Sequence, residues 1–109
     1  MDFNNTKMGD YYVVDVAGRL DATTSSEFEQ QCDIWMEAEE YQILIDMSAV
    51  EYISSAGLRG ILTSAKKIKG KAGNIRFCGL QGMVADVFKM SGFAAMFQIF
   101  DNKEQAING

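Results

Sequence analysis

Apolar and polar positions alternate with several different periods along this chain, and each change of period marks an element. Residues 11–17 (YYVVDVA) are β-branched and aromatic and stop at Gly18, which predicts a strand. Residues 3–8 form a weaker strand that can pair with it across Gly9-Asp10, a dipeptide suited to a hairpin. Thr24-Ser25-Ser26-Glu27 has the T-x-x-E form of a capping box, and Phe28, Cys32, Trp35 and Met36 follow at helical spacing, so a helix runs to about Ala38. Residues 42–47 (QILIDM) are too short an apolar run for a helix and suit a strand buried on both faces. Leu58, Ile61, Leu62, Ala65 and Ile68 then share one helical face, with Arg59, Thr63, Lys66 and Lys67 opposite. Residues 74–79 (NIRFCG) alternate as a strand after Gly70 and Gly73. Met83, Val84, Val87 and Phe88 make a third amphipathic face, closed by Gly92 as a left-handed C′ residue with Phe93 packing back on Phe88. A short strand at residues 97–100 and a turn of helix at residues 103–107 complete the pattern.

The order is β-β-α-β-α-β-α-β with a short tail, which predicts an α/β fold with parallel pairing and one antiparallel hairpin strand. Proline is absent and no stretch is of low complexity, so residues 1–109 read as a single domain. Three helices, beginning near Thr24, Ser55 and Gly82, cannot cover both faces of a sheet this wide. The expectation is a mixed five-stranded sheet with the helices mainly on one face, and with Leu58, Ile61 and Leu62 turned toward it.

Composition narrows the function. The chain has no histidine, which removes the commonest general base, metal ligand and partner of a serine or cysteine nucleophile. The reading is a protein that is not an enzyme, with no cofactor and no metal. A net charge of −5 argues against a nucleic-acid or anionic-membrane surface. The cluster Lys66, Lys67, Lys69 and Lys71 reads as a solvated helix end favoured by the dipole. No apolar run has the length of a membrane helix and the first residues lack a secretory pattern, so a cytoplasmic location is expected. Cys32 and Cys78 both fall on apolar patterns and read as buried thiols.

Chemistry is concentrated in residues 41–59 (YQILIDMSAVEYISSAGLR), where a strand passes through Ser54-Ser55-Ala56-Gly57 straight into a helix. Either serine can cap that helix. A helix start is also favourable for an anion, because its free N–H groups and the dipole present positive charge. Gly57 within the first turn costs about 1 kcal/mol relative to alanine, so Ala56 and Gly57 suggest the close approach of another molecule. With no histidine nearby, the hydroxyls suit a modification acceptor better than a nucleophile. Asp21 and Asp46 each follow a predicted strand. Both are candidates for the ligand-binding edge of the sheet, or else for local bonds to backbone N–H groups. Met83, Met90 and Met96 with Phe88, Phe93 and Phe97 read as core, with part of the patch exposed.

These residues carry a resemblance. DMSAVEYISSAGLR resembles the signature of STAS domains, the fold of bacterial anti-sigma factor antagonists; GRLD resembles the family's Gly-x-Leu/Ile-Asp turn, and MSGF its late Leu-x-Gly-Phe element. The resemblance implies a non-enzymatic partner switch. Unphosphorylated, such a protein binds a serine-kinase anti-sigma factor; phosphorylation at the start of the second helix releases it, and a PP2C-type serine phosphatase reverses the step. Carried over by position, the acceptor is Ser55. Ser54 stands where many members have Asp, which makes it the second choice. Asp21, Asp46, Ser54, Ser55, Ala56, Gly57 and Arg59 would form the partner-binding edge. Two alternatives stay open: the resemblance also admits an adaptor subunit of a larger assembly, such as a lipid-transport complex, without phosphorylation, and the strand-end edge with its helix start would also suit a small nucleotide- or anion-binding domain.

Overall fold

The computed structural model describes residues 1–109. Strand β1 (Asp2–Met8) turns through Gly9 into β2 (Tyr11–Leu20) and pairs with it antiparallel, from Met8 opposite Tyr11 to Asp2 opposite Ala17. Helix α1 (Ser25–Glu37) leads to β3 (Gln42–Ile53), and α2 (Ser55–Gly70) to β4 (Asn74–Cys78). Helix α3 (Gly82–Met90) and the short α4 (Phe93–Met96) lead to β5 (Gln98–Phe100), and α5 (Lys103–Asn108) follows. The strands lie in chain order, β1-β2-β3-β4-β5, and every pair after the first is parallel. Because each crossover steps one strand in the same direction, a shared handedness puts α1, α2 and α3 on one face.

Alternation along the strands divides the interior in two. Val14, Val16, Ile43, Ile45, Ile75 and Phe77 point into the main core with Phe28, Trp35, Ile61, Ile68 and Phe88. Val13, Leu44 and Cys78 point the other way and are covered by Ala106 of α5. The apolar run at the start of β3 is thus buried on both faces, as its composition predicts. Phe77, Phe88, Phe93 and Phe97 pack edge to face, with ring centroids 5.3–5.5 Å apart. Gly92 takes the left-handed conformation (φ 85°) that returns Phe93 to Phe88. Met90 stays outside at 86% exposure, with Met83 and Met96 also exposed, so these three methionines are surface rather than core. Both cysteines are free and buried. Burial pushes both thiols up, and the Asp46 carboxylate adds to the effect at Cys78, which reaches about 12.

The turn of helix expected at residues 103–107 forms as α5 on the far face, and the segment after Gly92 adds the short α4, so the helices number five. Two expectations need correction. The capping box at Thr24 does not form. Its hydroxyl donates to the Arg19 carbonyl (2.7 Å) and accepts from the Asp21 N–H (2.9 Å), so it closes the preceding turn. Strand β3 runs to Ile53 rather than Met47. It gains extra residues against β2 at two register shifts, between Asp15 and Ala17 and between Gly18 and Arg19, so its positions in the main core become Ile43, Ile45, Met47, Val50 and Ile53. Bulges have broken the period of two.

On α2 the fully buried side chains are Ile61, Ala65 and Ile68, with Gly57, Gly60 and Ser64 filling the rest of the buried face. Leu58 and Leu62 flank this stripe, partly buried against the core, and so are rotated away from the centre of the expected face. Ile61→Ala is therefore expected to cost about 2–5 kcal/mol in urea denaturation. Leu62→Ala should cost less than half as much; equal losses would mean that the helix sits in a different rotation.

Candidate functional site

The ends of β2 and β3 extend past β4, whose last residue, Cys78, lies level with Asp46. They end together, with Leu20 paired to Ile53, and the Ser54 N–H donates to the Leu20 carbonyl at 3.0 Å. Both strands then feed helices whose first turns lie side by side. Gly60 of α2 sits so close to Ser25 of α1 that a methyl group there would come within 3.2 Å of the Ser25 Cβ.

The two serines are not equivalent. Ser54 has extended backbone angles and is the N-cap of α2; its hydroxyl oxygen accepts from the Gly57 N–H at 3.2 Å. Ser55 is the first helical residue and is exposed. Its hydroxyl has no hydrogen-bond partner within the chain. The first turn of α2 holds no acidic side chain, while Lys67 and Lys69 occupy the last. The positive end of the dipole is thus left open to an anion, and the negative end is compensated.

Asp21 lies next to this turn. Its Oδ1 accepts from the Thr23 N–H (3.0 Å) and the Thr23 hydroxyl (2.7 Å), and Arg19 Nε lies 3.7 Å from Oδ2. The bonds from Thr23 lower its pKa, with a smaller contribution from Thr24, so it keeps its charge into the acid range. Arg19 also stacks over Tyr52 at 4.3 Å.

Asp46 does not join the group. It lies on β3 opposite Asp15, with roughly 20 Å of strand between it and the end at Ile53. Its Oδ1 accepts from the Ser48 N–H (2.9 Å) and hydroxyl (2.6 Å), and its Oδ2 is 3.7 Å from Lys103, which bonds Asp15 at 2.8 Å. The expectation that Asp46 sits beside Ser55 is corrected: β3 does not end at Met47. Gly57 needs a second correction. It is buried, and a Cβ there would come within 2.5 Å of the Leu20 carbonyl, so its small size serves contact within the chain rather than an approaching molecule. Ala56 is half-buried and Arg59 exposed. Sequence reasoning did not single out Arg19 and Tyr52; Tyr52 sits two residues before Ser54 on a stretch not read as strand. The one cleft, about 230 Å³ and lined by Leu80, Phe88, Lys89, Ile99 and Asp101 among others, contains none of the candidate residues.

Fold and motif together define a class. Residues 2–106 match the model of the STAS domain, and the chain belongs to that family. It is 27% identical, over 97% of its length and 91% of the relative's, to a Bordetella bronchiseptica protein named as an anti-sigma factor antagonist, BtrV. It is 25% identical to the anti-sigma-B factor antagonist of Listeria monocytogenes, over 92% of this chain and 87% of the relative. These relatives are regulatory proteins by name. Among solved structures, an anti-sigma factor antagonist from Thermotoga maritima superposes with a TM-score of 0.90 at 20% identity, covering 97% of this chain and 92% of that one. The Bacillus protein SpoIIAA, solved in its phosphorylated form, superposes with a TM-score of 0.74 at 16% identity, covering 98% and 97%.

Two substitutions separate local roles. Ser54→Ala should cost about 1 kcal/mol of stability through the lost cap, while Ser55→Ala is expected within about 0.5 kcal/mol of wild type. Thermal melts of the pair check the assignment of the cap. Gly57→Ala should destabilise by about 1–3 kcal/mol despite the helix propensity of alanine, because the methyl group meets a backbone carbonyl. A stabilised Gly57→Ala variant would show that α2 sits further from β2 than described.

Proposed function

We propose that this chain is a phosphorylation-switched anti-sigma factor antagonist acting in the cytoplasm. Unphosphorylated, it docks the edge formed by Asp21, Ser54, Ser55, Ala56 and Arg59 on a serine-kinase anti-sigma factor, which frees the sigma factor. That kinase transfers the γ-phosphoryl group of ATP to the Ser55 hydroxyl, the complex separates, and a PP2C-type serine phosphatase restores the hydroxyl. The observation that carries this reading is the Ser55 hydroxyl itself, exposed and unbonded on the first turn of a helix whose start holds no acid. Ser54 is the weaker acceptor because its oxygen is engaged with the Gly57 N–H. The names of the relatives support the partner class, and the phosphorylated Bacillus structure supports the chemistry on this fold.

The switch follows from solvation. Phosphorylation adds about −1.5 to −2 charges. On the free protein these are hydrated and face the positive end of α2, so the fold tolerates them. In a complex they lie in a desolvated contact next to the ionised Asp21, where an uncompensated charge costs a few kcal/mol. Release requires no refolding.

Ser55→Ala should keep wild-type stability and bind the kinase, while Ser55→Asp should fold equally well and bind at least about tenfold more weakly. Calorimetry against the kinase, with phosphopeptide mapping after incubation with ATP, decides the matter. Equal affinity of the two variants, or phosphate on Ser54, would sink the mechanism and favour an adaptor that is never phosphorylated.

A further inference from the structure

The chain has three arginines, and two of them are engaged. Arg19 is held by Asp21 and the ring of Tyr52. Arg76 donates to the carbonyls of Ala106 (2.5 Å) and Gly109 (3.1 Å) and lies over Tyr11 and Phe100. Arg59 has no ion pair and no hydrogen bond, and is exposed. It stands on α2 four residues after Ser55. Residues at that spacing are neighbours on a helix surface, about 5–6 Å apart at Cβ, and the favourable order puts the anion on the N-terminal side. A helical side chain also leans toward the N-terminus, so the Arg59 guanidinium covers the turn that starts at Ser55.

We infer that Arg59 is the internal counter-ion of phosphorylated Ser55. The inference rests on the reading of Ser55 as the acceptor and adds what happens to the modified surface. Before modification, Arg59 is a free cation on the docking edge, available to an acidic group of the partner. After modification, its guanidinium turns to the phosphate with charge-assisted N–H···O bonds, for which its planar fork is suited. Phosphorylation therefore changes the edge twice: it adds an anion and withdraws the one cation not already committed. The phosphate is also held along the helix, so the α2 backbone need not move.

The test uses the full chain with phosphoserine encoded at position 55 and follows the phosphate by ³¹P NMR against pH at low ionic strength. The second ionisation should lie about 0.3 of a pKa unit lower in the phosphorylated wild type than in Arg59→Gln, the scale of one surface pair at this spacing. Arg59→Lys should recover most of the shift, and Arg19→Gln should leave it unchanged. Identical titrations of wild type and Arg59→Gln would overturn the inference, as would a shift that follows Arg19 instead. Because the phosphate is installed during synthesis, the result is independent of any kinase. A normal shift in a protein that no kinase modifies at Ser55 would remove the switch and leave the ion pair standing.

Discussion

At Gly57, helix α2 and the end of β2 share a space that has no room for a methyl group, since a Cβ would stand 2.5 Å from the Leu20 carbonyl. That carbonyl also accepts from the Ser54 N–H, and Ser54 in turn accepts from the Gly57 N–H. The three groups form a closed chain of contacts in which each fixes the next: the strand end locates the cap, the cap locates the first turn, and the first turn lies back on the strand end. Ser55 lies between two anchored neighbours and is itself outside the loop of contacts. Its exposure is a consequence of how tightly Ser54 and Gly57 are used. Glycine here costs about 1 kcal/mol of helix propensity, but any larger residue would push α2 off the sheet.

The same seat explains which parts of the fold were legible beforehand. Local signals with one physical cause survived intact: the apolar run at Ile43, Leu44 and Ile45, the Gly92 terminator with its Phe93 return, and the amphipathic start of α3. The fold class followed from alternation and needed no tertiary knowledge. What failed were inferences about polar groups with more than one available partner. Thr24 has the right neighbours for a capping box, but its hydroxyl finds the Arg19 carbonyl first. Gly57 looks like an opening for a partner until the Leu20 carbonyl is placed above it. The second half of β3 was illegible for a different reason: with buried residues at Met47, Val50 and Ile53, bulging spreads the strand's signal over a spacing of three, which matches neither regular period. Asp46 was misplaced as a direct result.

Those bulges also shape the site. Beyond Asp46 the β3 strand has only β2 beside it, so residues 47–53 form a projecting two-stranded ribbon at the sheet's C-terminal edge. A ribbon of two strands is marginal on its own. Here it is buttressed from one side by α1 and α2, which approach closely at Gly60 and Ser25, and on its outer side by the Arg19–Tyr52 stack. Val50 and Ile53 anchor its inner face in the main core. The start of α2 is therefore packed against both β2 and α1 through Gly57 and Gly60, and Ser55 is the residue of its first turn that stays exposed.

Charge at this edge is arranged differently from charge on the molecule as a whole. The chain carries a net −5, yet around Ser55 the named charges are Arg19, Asp21 and Arg59, and the helix start adds its own partial positive charge. Glu27 in the first turn of α1 and the exposed Glu51 of β3 add negative charge, so the tip is nearly balanced on an acidic protein, and within the Debye length of about 8 Å this local balance matters more than the distant net charge. In the proposed switch, one phosphate would turn this nearly balanced tip negative while altering the total only modestly. The proposed control by a single modification depends on that contrast: the fold is indifferent to a dianion hydrated on its surface, whereas an interface matched to the unmodified edge would not be. The physical requirement is a rigid platform with a nearly balanced charge at its tip. The contacts among Leu20, Ser54 and Gly57 supply the rigidity, and the arginines set the balance.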